Sequence, residues 1–290
     1  MKSIQKGASS FSCFVALLIV LGVVSTVHAG SIILTGHDTD DHGASNYMNW
    51  GLTALVNNGN GTVIPASPTA RVGYIGNSSP NLGSYLGNYN NFAFYDLDSP
   101  TWTNAFTEGN SVLVIGSGSD FVSSAGSATL NANQTLFTNY FNANGNIFVN
   151  THQGLGNNFY SFVPSIGSAT ASNLTTCSTE SGNGLCMRPT SAGTASGLAL
   201  SHIVEADITH NQFSAISAFT ALEEYVPTGN AITIALFGGQ INGGGFTPTV
   251  PPVTPPGGPN GGPVIPEPAT LLLLGSGLAG LGIWRARRPQ

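Results

Sequence analysis

Short, almost wholly apolar runs recur along this chain and alternate with segments of helical periodicity. The runs span residues 31–35, 71–75, 91–95, 111–115 and 146–150, and turns rich in glycine and asparagine separate them. A strand that is apolar on both faces has to be covered on both faces, as in a parallel sheet flanked by helices. The pattern therefore predicts an α/β fold built on an open, mostly parallel sheet.

Two longer segments place apolar side chains at helical spacing. Residues 45–58 and 130–144 are the predicted helices, and Gly59 and Gly145 follow them as termination signals. Residues 198–207 are compatible with a strand. Residues 219–226 and 231–237 flank a turn that contains Pro227 and Gly229, which predicts a β-hairpin at the end of the domain.

The N-terminus has the three parts of a secretory signal peptide. Residues 1–6 are basic, residues 11–24 are almost wholly apolar, and Val27 and Ala29 occupy the positions that signal peptidase reads. The apolar run is shorter than the ~20 residues of a comfortable membrane span. The sequence therefore predicts a signal peptide at 1–29 and export of a domain at 30–242, with an uncleaved anchor as the alternative.

Charge is distributed unevenly along the chain. Twelve of the thirteen acidic residues lie in residues 30–264, where Arg71 and Arg188 supply the positive charges and lysine does not occur. Twelve acidic against two basic residues leave a surplus of ten negative charges in this region. Since nucleic-acid binding depends on lysine and arginine meeting phosphates, DNA and RNA are excluded as partners.

The cysteines agree with export. Cys13 leaves with the signal peptide, whereas Cys177 and Cys186 remain within one polar segment at 165–197. An even pair of cysteines in an oxidising compartment predicts a disulfide bond, with two free thiols as the alternative.

The last 26 residues contain three distinct elements. They follow a linker of glycine, proline and threonine at 243–264, a composition that cannot bury a core. In order they are Pro266, Glu267 and Pro268, then the apolar run 269–284, then Arg285, Arg287 and Arg288. This order at the extreme C-terminus resembles the PEP-CTERM sorting signal, which we assign to residues 265–290.

The resemblance and the physics of the tail predict the same orientation in the membrane. The run 269–284 predicts a transmembrane helix, and the arginines hold its end on the cytoplasmic side. Because the run is shorter than ~20 residues, a transient anchor fits better than a permanent tail anchor. The resemblance implies processing by an exosortase, a membrane cysteine protease-transpeptidase, in a Gram-negative bacterium that makes exopolysaccharide. The protein is then expected in the inner membrane during sorting and at the cell surface or outside the cell afterwards.

Carboxylates and imidazoles gather where the predicted strands end. His37 and the candidate metal ligands Asp38, Asp40, Asp41 and His42 follow the first strand, Asp120 follows the fourth, and His152 follows the fifth. Ligand sites in open α/β sheets lie at the carboxyl ends of the strands, and mixed oxygen and nitrogen ligands suit a divalent cation. The alternative is a solvated turn, because aspartate also caps helices and shapes turns.

The strand pattern, with a glycine-rich turn after the fifth strand, is similar to flavodoxin-like and class I glutamine amidotransferase-like domains. The amidotransferase family places a catalytic cysteine at the turn after the central strand. Here residues 150–154 contain no cysteine. The resemblance therefore implies a fold and argues against that chemistry.

Three functions remain open at this point. The leading hypothesis is a non-enzymatic surface or matrix protein that associates with exopolysaccharide. The second is a metal-dependent envelope hydrolase that uses the strand-end residues 37–42. The third is a carbohydrate-binding module whose stacking side chains are Tyr85, Tyr89, Phe92 and Tyr95.

Overall fold

The computed structural model describes residues 30–59, 61, 70–86, 89, 91–152, 154–174, 186–206, 209–242 and 245–248. The chain divides into two compact units, Met1–Val253 and Thr254–Gln290, and the described residues all belong to the first. The predicted signal peptide and the sorting tail lie outside the described residues.

Eleven strands and seven α-helices form in the described part of the chain. The strands are β1 Gly30–Thr35, β2 Val72–Gly76, β3 Phe92–Asp96, β4 Val112–Ile115, β5 Asn146–Val149, β6 Thr170–Asn173, β7 Met187–Pro189, β8 Asn211–Ser214, β9 Thr220–Tyr225, β10 Asn230–Asn242 and β11 Gly245–Pro248. The helices are α1 Ser45–Val56, α2 Leu82–Tyr85, α3 Ser124–Ala132, α4 Gln134–Asn142, α5 Asn157–Tyr160, α6 Ser191–Ala195 and α7 Leu200–Glu205, and short 3₁₀ helices span Trp102–Phe106 and Ile166–Ser168.

The five apolar runs form the parallel half of one mixed sheet, as predicted. The strand order is β3-β2-β4-β5-β1-β10-β8-β6, and all neighbours from β3 to β1 pair in parallel. Every residue of β1, β2, β4 and β5 is buried, because helices cover both faces of these strands. The edge strand β3 is the exception, since Phe92 and Phe94 remain exposed.

The second half of the sheet is antiparallel, so the sheet as a whole is mixed and not mostly parallel. β10 pairs antiparallel with β1, β8, β9 and β11. The β9–β10 pair confirms the predicted hairpin. β11 occupies residues 245–248, which the sequence assigned to the linker, and it pairs antiparallel with the end of β10.

The strand order also differs from the flavodoxin-like order 2-1-3-4-5. In this protein the first strand of the chain lies last in the parallel half, between β5 and β10. β1 is therefore a central strand that links the parallel and antiparallel halves.

Two helix assignments differ from the sequence prediction. The segment 130–144 contributes to two helices, α3 and α4, because Asn133 ends one and precedes the other. The segment 198–207 contains the helix α7 and not a strand. Ile203 of this helix is buried, while Leu200 and Val204 are exposed.

The loops after β1 and β5 leave the sheet toward opposite faces. After β1 the chain enters α1, whose Tyr47 and Met48 pack in the core on one face of the sheet. After β5 it enters α5, whose Phe159 and Tyr160 pack in the core on the other face. Ligands of open α/β sheets bind in the crevice that such a divergence creates at the strand ends.

No helix in the described residues is long and apolar enough to cross a membrane. The predicted transmembrane helix at 269–284 falls outside that part of the chain.

Candidate functional site

Three strand-end loops and the segment before β8 meet at the carboxyl edge of the parallel strands. The backbone N–H of Thr151 donates to the His37 carbonyl at 3.0 Å, and that of Gly118 donates to the Thr151 carbonyl at 2.8 Å. The backbone N–H of His210 donates to the Gly36 carbonyl at 2.8 Å. These bonds hold the ends of β1, β4 and β5 together, as expected for parallel strands that end at one edge of a sheet.

Two glycines permit this close approach. A Cβ atom on Gly118 would lie 1.6 Å from the His152 ring, and a Cβ atom on Gly36 would lie 2.0 Å from the Asn211 carbonyl oxygen. Real side chains do not tolerate such distances, so both positions require the absence of a side chain.

Asp38, Asp41 and His42 form a cluster at this edge, which we call the strand-end cluster. His42 Nε2 lies 3.5 Å from Asp38 Oδ2 and 3.6 Å from Asp41 Oδ2. One potential ligand atom from each residue lies within 4.8 Å of the other two. The three residues are thus placed where they could hold a metal ion.

His210 comes to the cluster from the segment before β8, a contact that no local sequence pattern predicts. Its Nε2 lies 3.0 Å from Asp38 Oδ2. His210 and Asp38 are 172 positions apart in the chain, and the backbone bond from His210 to Gly36 at the end of β1 brings them together.

Asp120 lies near the strand-end cluster but is not one of its potential ligands. Partial burial raises the pKa of its carboxyl, and the charges of Asp41 and Asp38 raise that pKa further, while His210 opposes the shift. Asp120 therefore contributes to the negative potential at this edge.

Asp40, a predicted ligand, points into the protein instead. Its Oδ2 accepts hydrogen bonds from the Tyr74 hydroxyl at 2.5 Å and from the Ser117 backbone N–H at 2.8 Å. The carboxyl is buried, and burial raises its pKa to about 6 despite these two hydrogen bonds. Asp40 therefore fixes the β1 loop against the β2 and β4 ends and does not belong to the strand-end cluster.

His152, another predicted ligand, is also separate from the strand-end cluster. Its ring packs against Phe159 with a centroid distance of 4.9 Å, and its backbone N–H donates to Asn211 Oδ1 at 3.0 Å. Asn211 Oδ1 also accepts from the Thr151 and Tyr160 hydroxyls. His152 thus takes part in the packing of the β5 loop.

His37 belongs to a buried network on the other side of the β1 end. Its Nε2 lies 3.0 Å from both carboxylate oxygens of Glu223, and neither side chain is exposed to solvent. Glu223 Oε2 also accepts from the Tyr47 hydroxyl at 3.1 Å and the Thr233 hydroxyl at 2.9 Å. Local sequence does not point to Glu223, because its burial depends on the register of β9 on β10, which places it opposite Thr233.

Three of the four proposed stacking side chains are not available to a carbohydrate. Tyr85, Tyr89 and Tyr95 are buried, and the Tyr85 hydroxyl is bonded to Thr39 Oγ1 at 2.7 Å. Phe92 is exposed on the edge strand β3. These three tyrosines therefore do not form the stacking surface that the sequence predicted.

The predicted disulfide concerns one residue within the described part and one outside it. The Cys186 carbonyl accepts from the Val226 N–H at 2.8 Å, which holds it beside the end of β9. Cys177 lies outside the described residues, so its pairing with Cys186 stays a prediction.

The fold and the strand-end cluster define an acidic α/β domain of mixed sheet topology. The C-terminal tail places the chain among exported proteins: the family model of the PEP-CTERM protein-sorting motif matches residues 264–288. The chain thus carries a PEP-CTERM sorting motif, which confirms the assignment made from Pro266–Pro268, the apolar run and the terminal arginines. No curated protein and no solved structure matches the chain.

Proposed function

We propose that this is an exosortase substrate that reaches the cell surface in two stages. Signal peptidase removes residues 1–29, and the helix at 269–284 then holds the protein in the inner membrane. The arginines keep the tail end cytoplasmic until exosortase acts near Pro266–Pro268. The observation that supports this sequence of events is the sorting motif at 264–288.

The sorting step is tested by replacing Arg285, Arg287 and Arg288 together with serine. The expected result is accumulation of unprocessed precursor or loss of surface localisation, detected on immunoblots of cell fractions. An Arg71→Ser variant controls for loss of positive charge elsewhere in the protein. If the triple variant is processed and located like wild type, the arginine cluster has no role in sorting.

We further propose that the exported domain is a non-enzymatic component of the surface or extracellular matrix. Three groups capable of acid–base chemistry, His37, Glu223 and Asp40, are buried and bonded to their own neighbours. A substrate outside the protein cannot reach them. Association with exopolysaccharide would then use the neutral asparagine, serine and threonine side chains that are abundant in this chain.

A metal-dependent envelope hydrolase is the second candidate, and the position of the strand-end cluster at the carboxyl ends of the parallel strands favours it. Retention of the purified protein on isolated exopolysaccharide, without turnover of ester, amide or glycoside substrates, would support the binding protein. Hydrolysis that requires an added divalent ion and disappears in His42→Gln would support the enzyme.

We also propose that Cys177 and Cys186 form a disulfide bond after export. Mass spectrometry of non-reduced peptides from the exported protein should find the two residues linked. Complete alkylation of both thiols in native, unreduced protein would contradict the bond.

A further inference from the structure

We propose that the strand-end cluster of Asp38, Asp41 and His42 binds one zinc ion, and that His210 orients Asp38 from outside the coordination shell. This inference does not depend on the sorting pathway or on whether the domain is catalytic. It rests on the spacing of the ligand atoms, on the burial of Asp38 and on the charges around the cluster.

The spacing of the ligand atoms is close to that of a tetrahedral zinc site. At zinc–ligand distances of ~2.0–2.1 Å, two ligands of a tetrahedral ion are about 3.3 Å apart. His42 Nε2 is 3.5 Å from Asp38 Oδ2 and 3.6 Å from Asp41 Oδ2. All three ligand atoms lie within 4.8 Å of one another, so small side-chain rotations would bring them onto one ion.

Asp38 provides an independent indication of a missing ligand. Its side chain is only 4% exposed, and the carboxylate faces both His42 and His210 through Oδ2. Its other oxygen, Oδ1, is buried and has no hydrogen-bond partner among the described residues. A buried carboxylate oxygen without a partner is costly, whereas a cation held by both oxygens of the Asp38 carboxylate would satisfy it.

The described part of the chain contains no lysine, and neither of its arginines is available to balance the charge of the cluster in place of such a cation. Arg71 is paired with Glu108 at 2.7 Å, and Arg188 is paired with Glu224 at 2.5 Å. Both described arginines are thus neutralised by glutamates outside the strand-end cluster. A bound divalent ion would balance the carboxylates of Asp38 and Asp41.

The ligand types and their exposure favour zinc over calcium. Calcium takes six to eight oxygen ligands, whereas zinc readily combines imidazole nitrogen with carboxylate oxygen. The Asp41 and His42 side chains are 46% and 33% exposed, so the outer side of the site is open to water. Three protein ligands and one water would complete a tetrahedral site.

His210 acts as the hydrogen-bond partner of a ligating carboxylate. Its Nε2 lies 3.0 Å from Asp38 Oδ2, and its backbone N–H is bonded to the Gly36 carbonyl. Outer partners of this kind hold a metal ligand in position, and their loss typically weakens metal binding by about 10–100-fold.

The test measures zinc binding to the purified full-length protein in detergent after removal of metals with a chelator. Isothermal titration and elemental analysis of the dialysed protein should give one zinc ion per chain, with a raised melting temperature. The surface variants Asp41→Asn and His42→Gln should bind zinc at least tenfold more weakly while keeping wild-type circular dichroism. His210→Gln should bind with unchanged stoichiometry and about tenfold lower affinity.

Two variants outside the cluster are matched controls. Asp98→Asn and His202→Gln make the same chemical changes and should bind zinc like the wild type. Zinc affinity that is unchanged in both Asp41→Asn and His42→Gln would overturn the proposal, since the ion would then bind elsewhere. Tighter binding of calcium than of zinc, or the absence of a bound ion, would also overturn it.

Discussion

Replacing Asp40 with asparagine removes a carboxyl group that is only 3% exposed. The stability of this variant relative to the wild type should be higher at neutral pH than at acid pH. Asparagine has the same shape, and its Oδ1 can accept the hydrogen bonds from the Tyr74 hydroxyl and the Ser117 N–H. Its amide group would occupy the position of Asp40 Oδ1, which has no hydrogen-bond partner among the described residues. This amide adds an energetic offset that does not vary with pH.

The magnitude follows from the pKa of Asp40, which burial raises from 3.8 to about 6 in the folded protein. At a pH below the pKa of Asp40 in the unfolded state, Asp40 is protonated in both states, and the stabilisation that comes from its raised pKa is fully present. This stabilisation is lost as the pH rises through the pKa of the folded state, because the folded protein then has to carry a buried charge. At 1.36 kcal/mol per pKa unit, the loss approaches about 3 kcal/mol.

Urea unfolding in the presence of a chelator measures this effect at several pH values between about 4 and 8. The free energy of unfolding of Asp40→Asn minus that of the wild type should increase by about 2–3 kcal/mol over this range. Asp98→Asn, at an exposed position, should run parallel to the wild type. A difference between Asp40→Asn and wild type that does not change with pH would refute the assignment of a buried, proton-binding Asp40.

Two further substitutions test the packing and the buried charge at the strand ends by thermal or urea unfolding. Gly118→Ala should lose about 1–3 kcal/mol, because its Cβ atom would lie 1.6 Å from the His152 ring, whereas Gly167→Ala faces open space and should be nearly neutral. Glu223→Gln should lose about 2–3 kcal/mol, because it removes a fully buried carboxylate that is bonded to His37, Tyr47 and Thr233, while the same change at the neighbouring and more exposed Glu224 should cost about 1 kcal/mol or less. Equal losses within either pair of variants would contradict the structural explanation.

The composition of the sequence accounts for the local elements of the fold. The apolar runs predict β1, β2, β4 and β5 because a strand buried on both faces needs mostly apolar residues. The edge strand β3 shares the apolar pattern although Phe92 and Phe94 are exposed. The turn with Pro227 and Gly229 likewise predicts the β9–β10 hairpin, which the structure confirms. The sorting motif is equally local, since all its elements lie in one short segment.

Other assignments could not be made from local sequence. The segment 198–207 is apolar enough for a strand, and only its packing makes it helical, with Ile203 toward the core. The strand order depends on β1 pairing with β5 on one side and β10 on the other, and these partners lie more than a hundred residues away. Nothing in the composition of β1 distinguishes the two neighbours.

The sequence alone predicts that acidic and histidine side chains gather at the strand ends, because parallel strands bring their carboxyl ends to one edge. Which of these side chains meet depends on the folded structure. Asp38, Asp41 and His42 cluster, Asp40 turns toward Tyr74, and His37 pairs with Glu223. The physical reason is that burial and hydrogen-bond partners select the direction of each side chain, and those partners come from strands distant in the chain.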